Sequence, residues 1–214
     1  MPWEPITRRN IPWSELEDLQ KKLQNRILEG DLTSYLLISE PQPTLTAGRT
    51  AELKDLILSE DVLASRGIKI EKVSRGGEWT YHGPGQVVIF PICSLENLGL
   101  HSKASRFFVE RLRTAVQKGL RDLDIVTEIG DEPFGLYSDG AKVASFGLDF
   151  SKGVSGHGVA VYVEDQSVGF QSINPCGVVG PSLSCLRRLC SSTVSWSNVA
   201  QSLVNSIKNS FQLP

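Results

Sequence analysis

The chemistry-bearing residues of this 214-residue chain fall into a few short stretches. The densest is Arg75-Gly76-Gly77-Glu78-Trp79-Thr80-Tyr81-His82-Gly83-Pro84-Gly85-Gln86. Glycines without a Cβ let a ligand approach the backbone and let successive N–H groups converge on an oxygen. Arg75, Tyr81 and His82 add a cation and two polar rings. The spacing is not that of a P-loop, which needs a following Gly-Lys-Ser/Thr, nor is it G-x-G-x-x-G. Taken alone, the stretch reads equally as a structural turn or as a binding loop.

Asn174-Pro175-Cys176-Gly177 is the second such feature. Most cysteines are buried, inert small hydrophobes, but Asn-Pro and the following Gly mark a tight turn that displays this thiol on a loop. Cys93 ends an apolar run and belongs with the core. Cys185 and Cys190 flank Leu186-Arg187-Arg188-Leu189, and their gap lacks the short paired spacing of a zinc site, so no metal is expected. Lys142 follows the Asp139-Gly140 turn, where a lysine is ordinarily solvated. Here Ala144, Phe146, Leu148 and Phe150 share one strand face, with Ser145 and Gly147 on the other. Lys142 therefore stands where the chain enters an apolar sheet. Periodicity leaves His157, in Ser155-Gly156-His157-Gly158, open as a core or a site residue, and places His101 at the surface before a helix.

These residues need elements to hold them. Ser14 and Glu17 have the spacing of a capping box, with Leu16, Leu19, Leu23 and Ile27 at helical intervals and Gly30 as a stop. Thr33 to Ser39 reads as a strand broken by Pro41-Gln42-Pro43, Asp61 to Arg66 as a short helix, and Ile68 to Val73 as a strand. Ser74 to Gly85 reads as a loop feeding the strand Gln86 to Pro91. Phe107, Phe108, Leu112, Ala115, Val116 and Leu120 mark one side of a helix. Asp139-Gly140 between two apolar runs is a hairpin signal, and a further strand ends at Val163. Trp196, Val199, Ala200, Leu203, Val204 and Ile207 make a closing helix. Hairpins rather than βαβ crossovers argue for an α+β domain, spanning residues 1–214 without a linker.

Composition narrows the class. Twenty-two Lys+Arg against 24 Asp+Glu give a formal charge of -2 and no basic footprint for nucleic acid. Four cysteines are too sparse for a disulfide scaffold. The start, Met1-Pro2-Trp3-Glu4-Pro5, has no signal-peptide order, and Val87 to Cys93, the longest apolar stretch, has strand length, far short of a membrane helix. The expectation is a cytoplasmic protein with reduced thiols and no membrane partner.

In combination the motifs are specific. Arg75-Gly76-Gly77-x-x-Thr80-Tyr81-His82-Gly83-Pro84-Gly85-Gln86, Gly140-x-Lys142-x-Ala144-Ser145-x-Gly147, His157-Gly158-x-Ala160 and Ile173-Asn174-Pro175-Cys176-Gly177 occur in that order, with Thr46-x-Gly48-Arg49 upstream. From about Thr46 to Gly180 the chain resembles the lipoyl(octanoyl) transferase family, with Gly156 and Tyr162 departing from the residues usual there. The resemblance implies a single α+β domain, a mixed or antiparallel sheet with flanking helices similar to biotin and lipoate protein ligases. It implies Cys176 as the acyl-thioester nucleophile and Lys142 as the residue that lowers its pKa and moves protons. Substrate contacts would come from Arg75, Gly76, Gly77, Glu78, Trp79, Thr80, Tyr81 and His82, from Ser145, Phe146 and Gly147, and from Gly158, Val159 and Ala160. The implied donor is octanoyl-acyl carrier protein. The implied acceptors are lipoyl domains of 2-oxoacid dehydrogenase E2 subunits and the glycine cleavage H protein, with no cofactor.

A thioester exchanges its acyl group with a thiolate at little net cost, so such a transfer needs no ATP. A free thiol near pKa 8.5 is only a few per cent ionised at neutral pH, and a neighbouring ammonium raises that fraction. Competing expectations are an ATP-dependent lipoate–protein ligase, a non-catalytic acyl- or carrier-protein-binding module, and a zinc-dependent hydrolase using His82, His157 and a Cys. The last finds no H-E-x-x-H or paired spacing.

Overall fold

The computed structural model describes residues 3–131, 134–174, 182–190 and 194–211. A main sheet of seven strands carries the fold. Its members are β1 (Trp3–Ile11), β2 (Ser34–Pro41), β6 (Gln86–Ile92), β7 (Glu128–Asp131), β8 (Phe134–Ser138), β9 (Ala141–Ser151) and β10 (Val154–Tyr162), in the spatial order β1-β2-β6-β10-β9-β8-β7. A second sheet has β3 (Thr44–Ala47) between β4 (Lys69–Lys72) and β5 (Trp79–His82). The helices are α1 (Trp13–Leu28), α2 (Glu60–Ser65), α3 (Ser105–Arg121), α4 (Ser167–Phe170), α5 (Leu186–Leu189) and α6 (Trp196–Phe211). None is long and apolar enough to cross a membrane among the described residues.

The two faces of the main sheet bury different clusters. Along β6, Val87, Ile89 and Cys93 join Phe108, Leu112 and Val116 of α3 and Val199, Leu203 and Ile207 of α6. Val88, Phe90 and Ile92 point the other way, to Trp13, Leu16 and Leu23 of α1 and to Leu45 and Tyr81 of the small sheet. Strand alternation explains this, because a strand buried on both faces reads as a continuous apolar run. The site lies on the second face, between the two sheets.

Most expected elements are present, with some corrections. The Asp139-Gly140 hairpin forms with both turn residues at positive φ, 49° and 73°, as a tight two-residue turn demands. β1 was not expected; it pairs in parallel with β2 across α1, and β3 pairs in parallel with β4 across α2. Two βαβ crossovers therefore exist where hairpins alone were anticipated, and the sheets are mixed. The Ser14/Glu17 capping box does not form, since Pro12 takes the N-cap position and no side chain caps the helix. Helical periodicity located α1 correctly because its apolar stripe packs on the sheet, whatever its cap. The anticipated loop from Ser74 to Gly85 contains β5, whose residues pair with β3. Phe107 is 52% exposed and lies off the buried side of α3.

The centre of the main sheet is irregular at one point. Val159 pairs with Ile89, the Ser155 N–H donates to the Cys93 carbonyl (3.0 Å), and Val154 bridges Ser94, so His157 stands opposite Pro91. By antiparallel alternation these two would exchange both ladder bonds, but proline has no N–H. Side chains make up the loss. Gln20 Oε1 of α1 accepts the His157 N–H at 2.6 Å, and Ser155 Oγ donates to the Pro91 carbonyl at 2.6 Å. Next to this gap, a Cβ on Gly158 would lie 2.2 Å from the Ile89 carbonyl oxygen. Gly158→Ala must push backbone against backbone, and is expected to lower stability by at least about 2 kcal/mol, measured by urea unfolding.

Candidate active site

An open slot enters between the sheets. It is lined by Trp13, Arg75, Thr80, His82, Val88, Phe90, Ser145, Phe146, Gly147, His157, Gly158, Val159 and Ala160, and holds about 350 Å³ of non-atom space, its mouth included. Nine of these are residues that the motifs singled out as substrate contacts. Gly76, Gly77, Glu78, Trp79 and Tyr81 stand behind the slot instead. Gly76 N–H donates to the Leu148 carbonyl of β9, and the Gly77 and Glu78 carbonyls accept from Thr50 and Gly48. The Trp79 indole donates to the Glu52 carbonyl at 2.7 Å, and Tyr81 packs edge-on to Phe170. The Gly-rich segment thus ties the small sheet to β9 and holds Arg75 in the slot wall. Gly48 is required by this packing: a Cβ there would sit 2.2 Å from the Gly77 carbonyl oxygen.

Arg75 is buried. Its guanidinium donates to the Thr46 hydroxyl and carbonyl and to the Gly76 carbonyl, at 2.7 to 3.0 Å from its terminal nitrogens. Both slot histidines feel this cation. Burial first, then Arg75, holds His82 down to about 3 and His157 down to about 4. Both imidazoles are therefore neutral near pH 7.

The tautomer of His82 follows from its neighbours. Gln166 Nε2 donates to the Pro84 and Glu164 carbonyls, which turns its Oε1 toward Gln86. Gln86 Nε2 donates to that Oε1 and to the Tyr81 carbonyl, which turns its own Oε1 to His82 Nδ1 at 3.2 Å. Nδ1 then carries the hydrogen and Nε2 the lone pair. His82 Nε2 and His157 Nδ1 are both buried with no hydrogen-bond partner among the described residues. Trp13 stacks on His82 with centroids 4.4 Å apart and lies nearly parallel to His157 at 6.5 Å, while Phe90 meets His157 edge-on at 5.3 Å. His157 also lies 3.3 Å through Nε2 from Ser74 Oγ.

Lys142 is the second residue of β9, three residues before the slot residue Ser145, and is 6% exposed. Its Nζ donates to the Phe134 carbonyl at 3.0 Å and lies 5.6 Å from the Tyr137 ring centre. A carbonyl and an aromatic face are both contacts that an ammonium makes. Its backbone holds the segment that follows Cys176 in the sequence: Lys142 N–H donates to the Ser182 carbonyl, and Ser184 N–H donates to the Lys142 carbonyl. On the other side, Asn174 N–H donates to the Asp55 carbonyl at 2.8 Å. Cys176 itself lies outside the described residues. The remaining thiols match expectation. Cys93 and Cys185 are buried and Cys190 is half-buried; burial pushes the Cys93 thiol up to about 12, so it is inert. His101 is exposed and accepts the Lys103 N–H near the start of α3.

Trp13, Val88 and Phe90 were not expected at the site. No local pattern marks them, since each is an ordinary core residue by periodicity and only the crossing of α1 over β6 and β10 makes them a wall.

The buried neutral histidines carry a pH signature. Their folded pKa values lie below the unfolded 6.5, so between about pH 4 and 6.5 the unfolded chain binds more protons and stability falls as pH falls. Each histidine contributes up to about 1.4 kcal/mol per pH unit in that window. His157→Asn, which tolerates the same backbone conformation, is expected to flatten the pH dependence of the urea-unfolding free energy between pH 6.5 and 4.5.

The comparisons with known proteins agree with this geometry. The family model described as lipoyl protein ligase A/B catalytic domain matches residues 14–208. An octanoyltransferase of Syntrophobacter fumaroxidans is 33% identical over 202 residues, covering 94% of this chain and 87% of the relative. One from Chloroflexus aurantiacus is 32% identical over 206 residues, covering 95% and 91%. In three dimensions the chain is similar to a putative lipoate protein ligase from T. acidophilum with bound lipoic acid, at a TM-score of 0.78, 14% identity and coverage of 98% and 86%. It is also similar to a biotin protein ligase from Aquifex aeolicus in complex with biotin and ATP, at 0.56, 12% identity and coverage of 97% and 70%. At such identities these structures show the fold alone.

Proposed function

The chain belongs to the lipoyl protein ligase A/B catalytic-domain family, among its octanoyltransferases, and we propose that it moves an octanoyl group from octanoyl-acyl carrier protein to a lysine of lipoyl domains. Those of 2-oxoacid dehydrogenase E2 subunits and the glycine cleavage H protein are the acceptors, and residues 1–214 act as one catalytic domain in the cytoplasm. The observation that supports the reading is the largely buried slot, lined by two neutral imidazoles, whose β9 wall runs back to a buried lysine that bonds through its backbone to Ser182 and Ser184, shortly after Cys176 in the sequence.

The reaction runs as two acyl exchanges. Lys142 as an ammonium holds Cys176 as a thiolate. The thiolate attacks the donor thioester carbonyl, the carrier's pantetheine sulfur leaves, and that sulfur takes its proton from Lys142. The acyl chain lies in the slot while the carbonyl stays at the Cys176 end. The acceptor's ε-amine then attacks the acyl-enzyme, its surplus proton passes to the now neutral Lys142, and Cys176 departs as a thiolate. The product is an amide, and the ion pair is restored with no ATP consumed. Arg187 and Arg188, near Cys176 in the sequence, pair with Glu164 and Asp165, so their charge is already balanced where an acidic carrier would need a cationic patch.

Incubation with octanoyl-acyl carrier protein is expected to add one octanoyl group to the intact mass, and Cys176→Ser to abolish the adduct. The absence of a Cys176-dependent adduct in the wild type overturns the reading, and transfer that requires ATP and free acid favours a ligase instead. Lys142→Ala is expected to raise the Cys176 pKa and to slow acylation at pH 7 by at least about tenfold. An unchanged titration and rate remove Lys142 from the mechanism.

A further inference from the structure

One hydroxyl of the slot is held by a second, buried hydroxyl. Ser145 of β9 pairs across the sheet with Ala160 of β10. Tyr162, two residues further along β10 and on the same face, brings its phenol oxygen to within 2.6 Å of Ser145 Oγ. Tyr162 is fully buried, with Phe170 against its ring at 5.4 Å, so the phenol has a fixed position. A phenol is a stronger acid than an alkyl hydroxyl and the better donor of the two, so the Tyr162 O–H donates to Ser145 Oγ. Ser145 makes no other hydrogen bond among the described residues. Its own hydrogen is then left for an acceptor in the slot, whose wall it forms.

The same hydroxyl stands beside Lys142. On its other side Ser145 pairs with Gly135 of β8, and the Lys142 stem runs over that glycine. A Cβ on Gly135 would lie 2.7 Å from Lys142 Cε. Directly paired strand residues hold their Cβ positions about 5 Å apart, so Lys142 and Ser145 are neighbours on one face of the sheet. Ser145 is half-buried, whereas the slot rings Trp13, His82, Phe90 and His157 are all 5% exposed or less. An acyl chain whose alkyl part lies among those rings has its carbonyl toward Lys142, and therefore beside Ser145.

We propose that Ser145 is a catalytic oxyanion donor and that Tyr162 is the residue that positions it. The inference rests on the acyl-enzyme reading above. As the Cys176 thiolate adds to the thioester, a C–S bond forms and the carbonyl π electrons move to oxygen. The Ser145 O–H donates to that oxygen and keeps its proton throughout. The carbonyl re-forms as the pantetheine sulfur leaves, and the proton exchanges with Lys142 are unchanged. The same donor serves when the acceptor amine adds to the acyl-enzyme and Cys176 leaves. A donor already oriented by a buried phenol needs no reorganisation as the charge develops.

Single-turnover acylation by saturating octanoyl-acyl carrier protein, read by intact mass, tests the assignment beside a titration of Cys176. Ser145→Ala is expected to slow acylation at least about tenfold, the scale of one lost oxyanion donor or less. The Cys176 pKa is expected to stay where it is in the wild type, which separates this loss from that of Lys142→Ala. Tyr162→Phe keeps the packed ring and removes the hydroxyl, and is expected to slow acylation at least about threefold. Added to Ser145→Ala, it is expected to change the rate by less than about twofold, because the group it orients is already gone. A smaller loss in Ser145→Ala, or one explained by a raised Cys176 pKa, overturns the oxyanion assignment and leaves the acyl-enzyme standing. A smaller loss in Tyr162→Phe, or the same loss in both backgrounds, overturns the positioning role. No wild-type adduct overturns the acyl-enzyme reading and the inference with it.

Discussion

Pro91 stands in the third strand of a seven-stranded sheet and has no N–H to give the strand beside it. A central strand ordinarily excludes proline for that reason. Here the missing bond is the condition for the site. With the ladder open at Pro91, β10 bends into a left-handed residue, Gly158 closes to within a methyl of the Ile89 carbonyl, and His157 turns to the α1 face. Two glutamines of α1 and one serine of β10 satisfy the backbone groups left over. Helix and sheet are thus joined by hydrogen bonds as well as by the Trp13, Leu16 and Leu23 stripe, which fixes the rotation of α1 and the position of Trp13 in the slot.

The small sheet completes the opposite wall through a different set of constraints. The Gly77 carbonyl lies so close to Gly48 that no side chain could fit there, and Gly76 N–H reaches across to donate to β9. Arg75 is carried between these anchors and satisfied by Thr46, so its charge is fixed in position where water is scarce. That charge and the burial around it keep the two imidazoles neutral. Gln166 and Gln86 then select the hydrogen position on His82. The wall of the slot therefore holds one fixed cation, Arg75, beside two neutral imidazoles.

Local signals were reliable where the cause of structure is local. Asp139-Gly140 specifies a hairpin because its two residues tolerate positive φ, and the apolar stripes of α1, α3 and α6 locate helices because one face of each packs on the sheet. They failed where tertiary contact decides. β1 contains the polar run Thr7-Arg8-Arg9-Asn10, in which no strand was expected, and it becomes a strand by pairing with β2. Ser14 and Glu17 could have capped α1 as a pair, yet Pro12 occupies the N-cap position. β5 was hidden among glycines that are needed for the close approach to Gly48, Glu164 and Tyr81.

The sequence by itself identified the family and marked its candidate residues: the glycine-rich segment, Lys142 after the Asp139-Gly140 turn, and Cys176. Spacing records those features because each depends on residue type at fixed intervals along the chain. Only the tertiary structure decided which of them line a cavity. Trp13 of α1 and Val88 and Phe90 of β6 enter the wall from two places in the chain, and Gly76, Gly77, Glu78, Trp79 and Tyr81 withdraw behind it. His157 remained undecided between core and site for a definite reason. Its parity along β10 points to the core, and the proline that reverses it lies 66 residues away, opposite it only once the sheet has formed.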